Sequence, residues 1–202
     1  NCTGSISIAA ATRSLIGPVT LFGGFSDWSE ALRFALTGDV PGGGKIAHDP
    51  LNQPVVFMNL ADTLPGMPAD PTPLVEAWRE FVHATWERPE MAHPDAHGPV
   101  ADRIAARFDG ETRTLFLQGC SVRPGGLHRI ESALRVGGAD TDWLDPTPYL
   151  QQIRVPVTVV HGMDDVVIPW SQADKLAHAL GPRCAGTVVT GLVHHTGVTR
   201  IW

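Results

Sequence analysis

Basic side chains are few and scattered: 15 Lys and Arg stand against 21 Asp and Glu, for a net charge of −6, and the cations form no cluster. Only one Tyr occurs in 202 residues, so the chain lacks the cationic groove and stacking rings that hold nucleic acids. Its acidic balance reads as a solubility device. Cysteine is also scarce. Cys2, Cys120 and Cys184 are odd in number and share no short spacing, which argues against a disulfide framework or a zinc motif and makes a reducing, cytoplasmic setting the expectation. No run approaches the roughly 18 apolar residues that suggest a membrane span. The longest strand-like segments are interrupted by Pro or Gly.

What is present bounds the fold. With 43% hydrophobic residues, the chain is able to bury one substantial core. The Ala-rich stretch over 5–15 predicts a helix packed on a sheet, ended by Gly17-Pro18. A short strand over 19–22 follows, stopped by Gly23-Gly24, and then a helix over 28–36 with Ser26 and Asp27 as cap candidates. From residue 38 the character changes. Pro41-Gly42-Gly43-Gly44 and a series of prolines from Pro50 to Pro73 punctuate the chain, with amphipathic helical stretches at 73–87, 100–108 and 127–136. Regular alternation returns with a strand over 155–160, a helix over 171–180 and a strand over 186–190. The expected organisation is core over 1–37, a mostly helical cap or lid inserted over 38–147, and core again over 148–202, with no internal repeat. This is an α/β protein with a mostly parallel sheet, and ligands of such sheets bind at the carboxyl edge.

The most informative run is Val155-Pro156-Val157-Thr158-Val159-Val160-His161-Gly162, followed by Met163-Asp164-Asp165 and Ile168-Pro169, with His194-His195 further on. A β-branched run ending in His-Gly predicts a buried parallel strand that hands the chain to a loop able to present an acid. Together with Asp145-Pro146, Leu150, Ile153 and the closing Gly191-Leu192-Val193-His194-His195, the run resembles the end of an α/β-hydrolase, the nucleophile-elbow fold. The resemblance covers about the last 60 residues.

That resemblance implies the chain order nucleophile, acid, histidine. Asn1-Cys2-Thr3-Gly4 supplies all but the first residue of a Gly-x-Nuc-x-Gly elbow and makes Cys2 the nucleophile. Ser is the family's usual choice, and Cys resembles the dienelactone-hydrolase-like branch, where a thiol beside an imidazole attacks a carbonyl as thiolate. Ser5 and Ser7 are rivals under a looser pattern, though each lacks Gly at both flanks. Gly24-Phe25-Ser26 and Gly119-Cys120-Ser121 satisfy half the motif and read as loops, with Trp28 and Arg123 where the second Gly is wanted. The alternative for Cys2 is a buried strand-end cysteine. Asp165 is the expected acid, with Asp164 its rival and a turn cap the plainer role. His195 is the expected base, with His194 its rival. The N–H of Thr3 would form half of an oxyanion hole, the other half coming from a loop not contained in these residues.

The resemblance implies cleavage of a small carboxylic ester, lactone or thioester through an acyl-enzyme, with no cofactor. An amidase, peptidase or acyltransferase would use the same triad, and a non-catalytic hydrolase-like binding protein would have lost it. Other features take plainer readings. His93 and His97 are separated by Pro94 and have no carboxylate or Cys at metal-site spacing, so no metal site is expected. Asp39-Val40-Pro41-Gly42-Gly43-Gly44-Lys45 is a near miss for a phosphate loop and reads as a flexible loop at the cap hinge. Trp78, Phe81 and Trp86 read as core of the cap.

The chain opens on Asn1 without Met and enters the first helix at once, so it is expected to be a fragment. The elbow's first Gly, the N-terminal half of the core sheet and a helix after Trp202 would then lie outside it. These 202 residues alone are expected to be poorly stable or inactive, and a cooperative melt together with turnover from this chain contradicts that.

Overall fold

The computed structural model describes residues 17–136 and 144–192, and residues 193–194 and 197–198 by their backbone. The chain divides into two compact units, Asn1–His48 with Asp140–Trp202, and Asp49–Ala139. Among the described residues no helix is long and apolar enough to cross a membrane.

The first unit is mixed α/β. Its elements are β1 (Val19–Phe22), α1 (Trp28–Thr37), a further helix at Thr147–Leu150, β2 (Val157–Gly162), a helix at Ser171–Leu180, a strand at Cys184–Thr190 and two short strands, Val193–His194 and Gly197–Val198. The second unit is helical, with α2 (Gln53–Asn59), α3 (Thr72–Thr85), α4 (Pro94–Ala105), α5 (Gly110–Gly119) and α6 (Gly126–Val136). Continuing in chain order, Thr147–Leu150 is α7, Ser171–Leu180 is α8, Cys184–Thr190 is β3, Val193–His194 is β4 and Gly197–Val198 is β5.

Strands β1, β2 and β3 form a parallel sheet in that order, with β2 in the middle. Val19 pairs with Val157 and Phe22 with Val160 on one side, while Thr158 pairs with Gly186 and Gly162 with Thr190 on the other. Successive strand side chains point to opposite faces. Leu21, Val157 and Val159 accordingly point to one face and bury against Leu150 and Ile153 and against Ala173, Leu176 and Leu180 of α8. Each such Leu or Val contributes roughly 1.5–3 kcal/mol relative to exposure. The alternate residues Phe22 and Val188 are exposed.

β2 runs over 157–162 rather than the expected 155–160, because Pro156 carries no N–H for the ladder and the far end is held by β3. A register irregularity between Val157 and Thr158 leaves Ala185 as an extra residue in β3, between Cys184 and Gly186. β3 therefore starts at Cys184, two residues before the expected start. The second short sheet pairs β4 with β5 antiparallel, His194 opposite Gly197.

Helix α1 is bounded at both ends by its own residues. Asp27 caps it, accepting from the Glu30 N–H at 3.1 Å. Gly38 ends it in the left-handed region at φ +71°, its N–H donating to the Phe34 carbonyl at 2.8 Å. A Cβ at Gly38 would run into the Ile46 carbonyl and the His48 ring. The following Asp39–Lys45 segment is closed by an antiparallel bridge between its end residues. Lys45 and Arg33 both pair with Asp39, so this lysine is engaged with a carboxylate.

Gln172 ties α8 to α1. Fully buried, it accepts from the N–H groups of Ser26 and Asp27, each at 3.0 Å, and donates to Glu30 at 2.5 Å. Lys175, one turn on, pairs with Glu30 and Asp27.

The helical unit corrects several expectations. Pro54 and Pro94 fall in the first turn of α2 and α4, where a missing N–H costs nothing. Some of the prolines that read as breaks, Pro54 and Pro73, therefore lie in the first turns of helices, while Pro65 and Pro68 do lie outside them. Pro99 lies inside α4, and the carbonyl whose helical donor it removes is that of Asp95, an exposed residue. Hence α4 covers 94–105 instead of 100–108. Gly119 was expected in a loop and is the last residue of α5, because a Cβ there would collide with the Trp78 indole. Trp78 and Phe81 are fully buried. The Trp78 Nε1–H donates to the Phe116 carbonyl at 3.1 Å, and Phe57 meets its ring edge-on at 5.3 Å between centroids. Trp86 follows α3 and is 43% exposed, its indole N–H donating to Leu51 O, so it is not core.

Two outcomes test this packing. Gln172→Leu in the full-length protein orphans the Ser26 and Asp27 N–H groups and is expected to lower stability by about 1–3 kcal/mol per orphaned group, read from the denaturant midpoint. Gly119→Ala is expected to cost about 1–3 kcal/mol by overpacking against Trp78, read in the same way.

Candidate active site

The carboxyl ends of β1, β2 and β3 converge on the loop that follows Gly162. The Gly23 N–H donates to the Val160 carbonyl at 2.9 Å, near the end of β2, and the Met163 N–H to the Thr190 carbonyl at 2.9 Å, so β3 pins the start of the loop. Met163 and Asp164 are exposed, and Asp165 turns inward and is buried to 2%. The Oδ1 of Asp165 accepts from the N–H groups of Val167 and Ile168, both at 2.9 Å. These bonds fix the plane of the carboxylate. They are the bonds of a turn cap, the plainer role expected of this residue.

The other oxygen has different surroundings. A Cβ on Gly23 would stand 4.0 Å from Asp165 Oδ2, which puts that oxygen over the end of β1. His161 Nε2 lies 3.6 Å from the same oxygen and donates to the Ile168 carbonyl at 3.1 Å. Asp164 takes the opposite side, its Oδ2 3.8 Å from where a Cβ on Gly191 would be, after the end of β3. Adjacent acids are thus directed to different neighbours of β2. β4, whose last residue His194 immediately precedes His195, lies beside β2.

Cys2, Thr3, Ser5, Ser7 and His195 lie outside the described residues, and His194 is described by its backbone. Of the expected site, the described residues therefore contain Asp165 and its rival Asp164. Ser26 sits in the loop held by Gln172. Cys120 belongs to the helical unit and is fully buried, and burial pushes its thiol well above the ordinary value of 9.0, which disfavours the thiolate. Among the described residues no cluster of His, Cys, Asp and Glu suits a metal ion. His97 is buried, with Nδ1 donating to the Met91 carbonyl at 2.8 Å, while His93 is exposed.

Two polar residues escaped the sequence reading. His161 occupies the inward position two beyond Val159 in an alternating run, and that spacing was a usable signal for burial. Gln172 shares the inward stripe of α8 with Ala173 and Leu176, a signal of the same kind.

An open groove of about 740 Å³ is lined by Asp27, Trp28, Asp145, Asp174, Lys175 and His178 among others. None of its lining residues belongs to the 161–168 loop, so it is separate from the Asp165 site. A hydrogen bond to Glu30 raises the Lys175 ammonium above its ordinary value against desolvation, with the Glu30 and Asp27 charges adding to it.

No protein-family model matches the chain. No curated protein matches it in sequence. Among solved structures the chain is similar to an acetylester hydrolase from Corynebacterium glutamicum, with 11% identity and a TM-score of 0.36, over 98% of this chain and 52% of that one. The chain therefore spans about half the length of that neighbour. A likeness of this size assigns neither a fold family nor a role to any residue.

Partial burial pushes the Asp27 carboxyl up, but the Glu30 N–H, the Ser29 hydroxyl and Lys175 outweigh it and hold the group below its ordinary value of 3.8. A depressed aspartate contributes stability in full above its unfolded value and loses it as the pH falls through the folded one. Asp27→Asn in the full-length protein is expected to be less stable at neutral pH and to lose less than the parent on acidification below about pH 4. Denaturant midpoints measured across that range check it, and equal acid slopes contradict it.

Proposed function

We propose that the chain belongs to a hydrolase of the α/β type that cleaves a small carboxylic ester, lactone or thioester. The observation that carries the reading is the buried Asp165 carboxylate, clamped by two backbone N–H groups just beyond the middle strand of a parallel sheet. An acid held there meets the requirement for orienting a histidine: low freedom of rotation and a fixed second oxygen. Two further facts support it, the nearness of β4 to β2 and the position of His195 directly after β4. Asp165 is preferred to Asp164 because Asp164 is exposed, and an exposed carboxylate interacts with an imidazole through water-like screening.

In this reading Cys2 is the nucleophile. His195 accepts the thiol proton as the sulfur bonds to the substrate carbonyl carbon, and Asp165 holds the imidazole in the tautomer that can accept it. The carbonyl oxygen becomes an oxyanion facing the Thr3 N–H. Collapse of this intermediate breaks the bond to the leaving alcohol or thiol, which takes the proton from His195. Water, giving its proton to His195, then attacks the acyl carbon; the carbon–sulfur bond breaks, the acid leaves, and the Cys2 thiolate takes the proton back from His195. The helical unit Asp49–Ala139 is proposed as the lid, within the insertion expected over 38–147.

The test is the initial rate of short-chain p-nitrophenyl ester hydrolysis by the full-length protein and its variants. Cys2→Ala and His195→Ala are each expected to lose at least about 10³-fold in rate, and Asp165→Asn roughly 10⁴-fold, with far-UV circular dichroism unchanged. Retained rates in the Cys2 and His195 variants overturn the triad, and no rate in the parent across ester, lactone and thioester substrates overturns the activity.

A further inference from the structure

We infer that His161 is a positioning residue for Asp165, an inference that rests on the reading of Asp165 as the acid of the site. The inward positions of β2 alternate Val157, Val159, His161, and a third apolar side chain would satisfy the packing there. An imidazole fully removed from water is instead costly unless its polar atoms are used. One is used. The Ile168 carbonyl is an acceptor only, so the proton sits on Nε2, which donates to it at 3.1 Å. Nδ1 then carries the lone pair, and it is buried without a hydrogen-bond partner among the described residues. Among the described residues the ring is therefore tethered by a single hydrogen bond, and that bond goes to the acid loop.

Ile168 connects the two side chains. Its carbonyl accepts from His161 while its N–H donates to Asp165 Oδ1 at 2.9 Å. The same Nε2 stands 3.6 Å from Asp165 Oδ2, beyond hydrogen-bond length but close enough for its N–H dipole to favour the carboxylate's present orientation. Without a donor at 161 the Ile168 residue loses its anchor to β2, and the clamp on Oδ1 loosens with it. His161 touches no substrate in this scheme. Its effect reaches the chemistry through the placement of Asp165, and misplacement of a catalytic group by about 1 Å costs on the order of 10²-fold.

The experiment compares the parent full-length protein with His161→Gln, His161→Asn, His161→Leu and Asp165→Asn, measuring kcat and KM on a p-nitrophenyl ester and checking each fold by circular dichroism. Gln reaches as far as the imidazole Nε2 and keeps an N–H for Ile168; Asn is too short, and Leu has no donor. The expected result is a kcat lowered about 10- to 100-fold in the Leu and Asn variants, with KM within about twofold and most of the loss recovered in the Gln variant. A purely structural role moves all three alike and does not sort them by the donor. If the Leu variant does not fold, the Asn and Gln variants decide: kcat lower in Asn than in Gln supports the inference, and equal values overturn it. Parent-like kcat in all His161 variants, with Asp165→Asn inactive, overturns this inference alone. An unaffected Asp165→Asn overturns both this inference and the proposed role of Asp165.

Discussion

Hydrogen bonding of β2 on both of its edges is the constraint on which the first unit depends. A parallel strand cannot reach its neighbour through a tight turn, so each pairing of β2 requires a long connection. On one side the connection contains α8; on the other it contains the whole helical unit. The sheet therefore brings together residues around 20, 160 and 188, and the ladder continues one residue past β1 at Gly23 and one past β2 at Met163. The acid loop begins where that ladder stops. Its backbone is held at Met163 by β3 and at Ile168 by the His161 ring, which leaves Asp165 between two fixed points.

Buried polar side chains carry out the joining that apolar packing is too undirected to perform. Gln172 meets two backbone N–H groups that precede α1, and Asp165 meets two that follow it in its own loop. In each case a side chain satisfies donors that no helix or ladder would reach, which is how irregular backbone becomes tolerable beside a core. The helical unit has the converse arrangement at Arg129, a mostly buried donor that serves Gln118 and the Pro65 carbonyl and pairs with Glu111. Its centre is different in kind, an indole set against a glycine so that two helices approach closely.

Much of the first unit was legible because its signals are local. The run 157–161 is β-branched and bounded, α8 has an apolar stripe at helical spacing, and Asp27 and Gly38 mark the ends of α1. Prolines misled because a proline signals opposite things at the first turn and in the interior of a helix, and sequence alone does not reveal which position it occupies. Gly119 misled for a related reason: its lack of a side chain serves Trp78, 41 positions away by number, rather than a loop. Of the candidate site, Asp165 stood out in the motif Gly162-x-x-Asp165, while its neighbours His161 and Ile168 were read as strand and spacer.

The sequence by itself determined the alternation of elements and the candidate acid, since periodicity, capping and loop-forming residues act over a few positions. Only the tertiary structure decided that Asp165 is buried and Asp164 exposed, that His161 faces the acid loop, and that Gln172 reaches α1. Those outcomes depend on which backbone groups are left unpaired once distant segments meet, and a one-residue change of direction at the end of a strand is enough to exchange them.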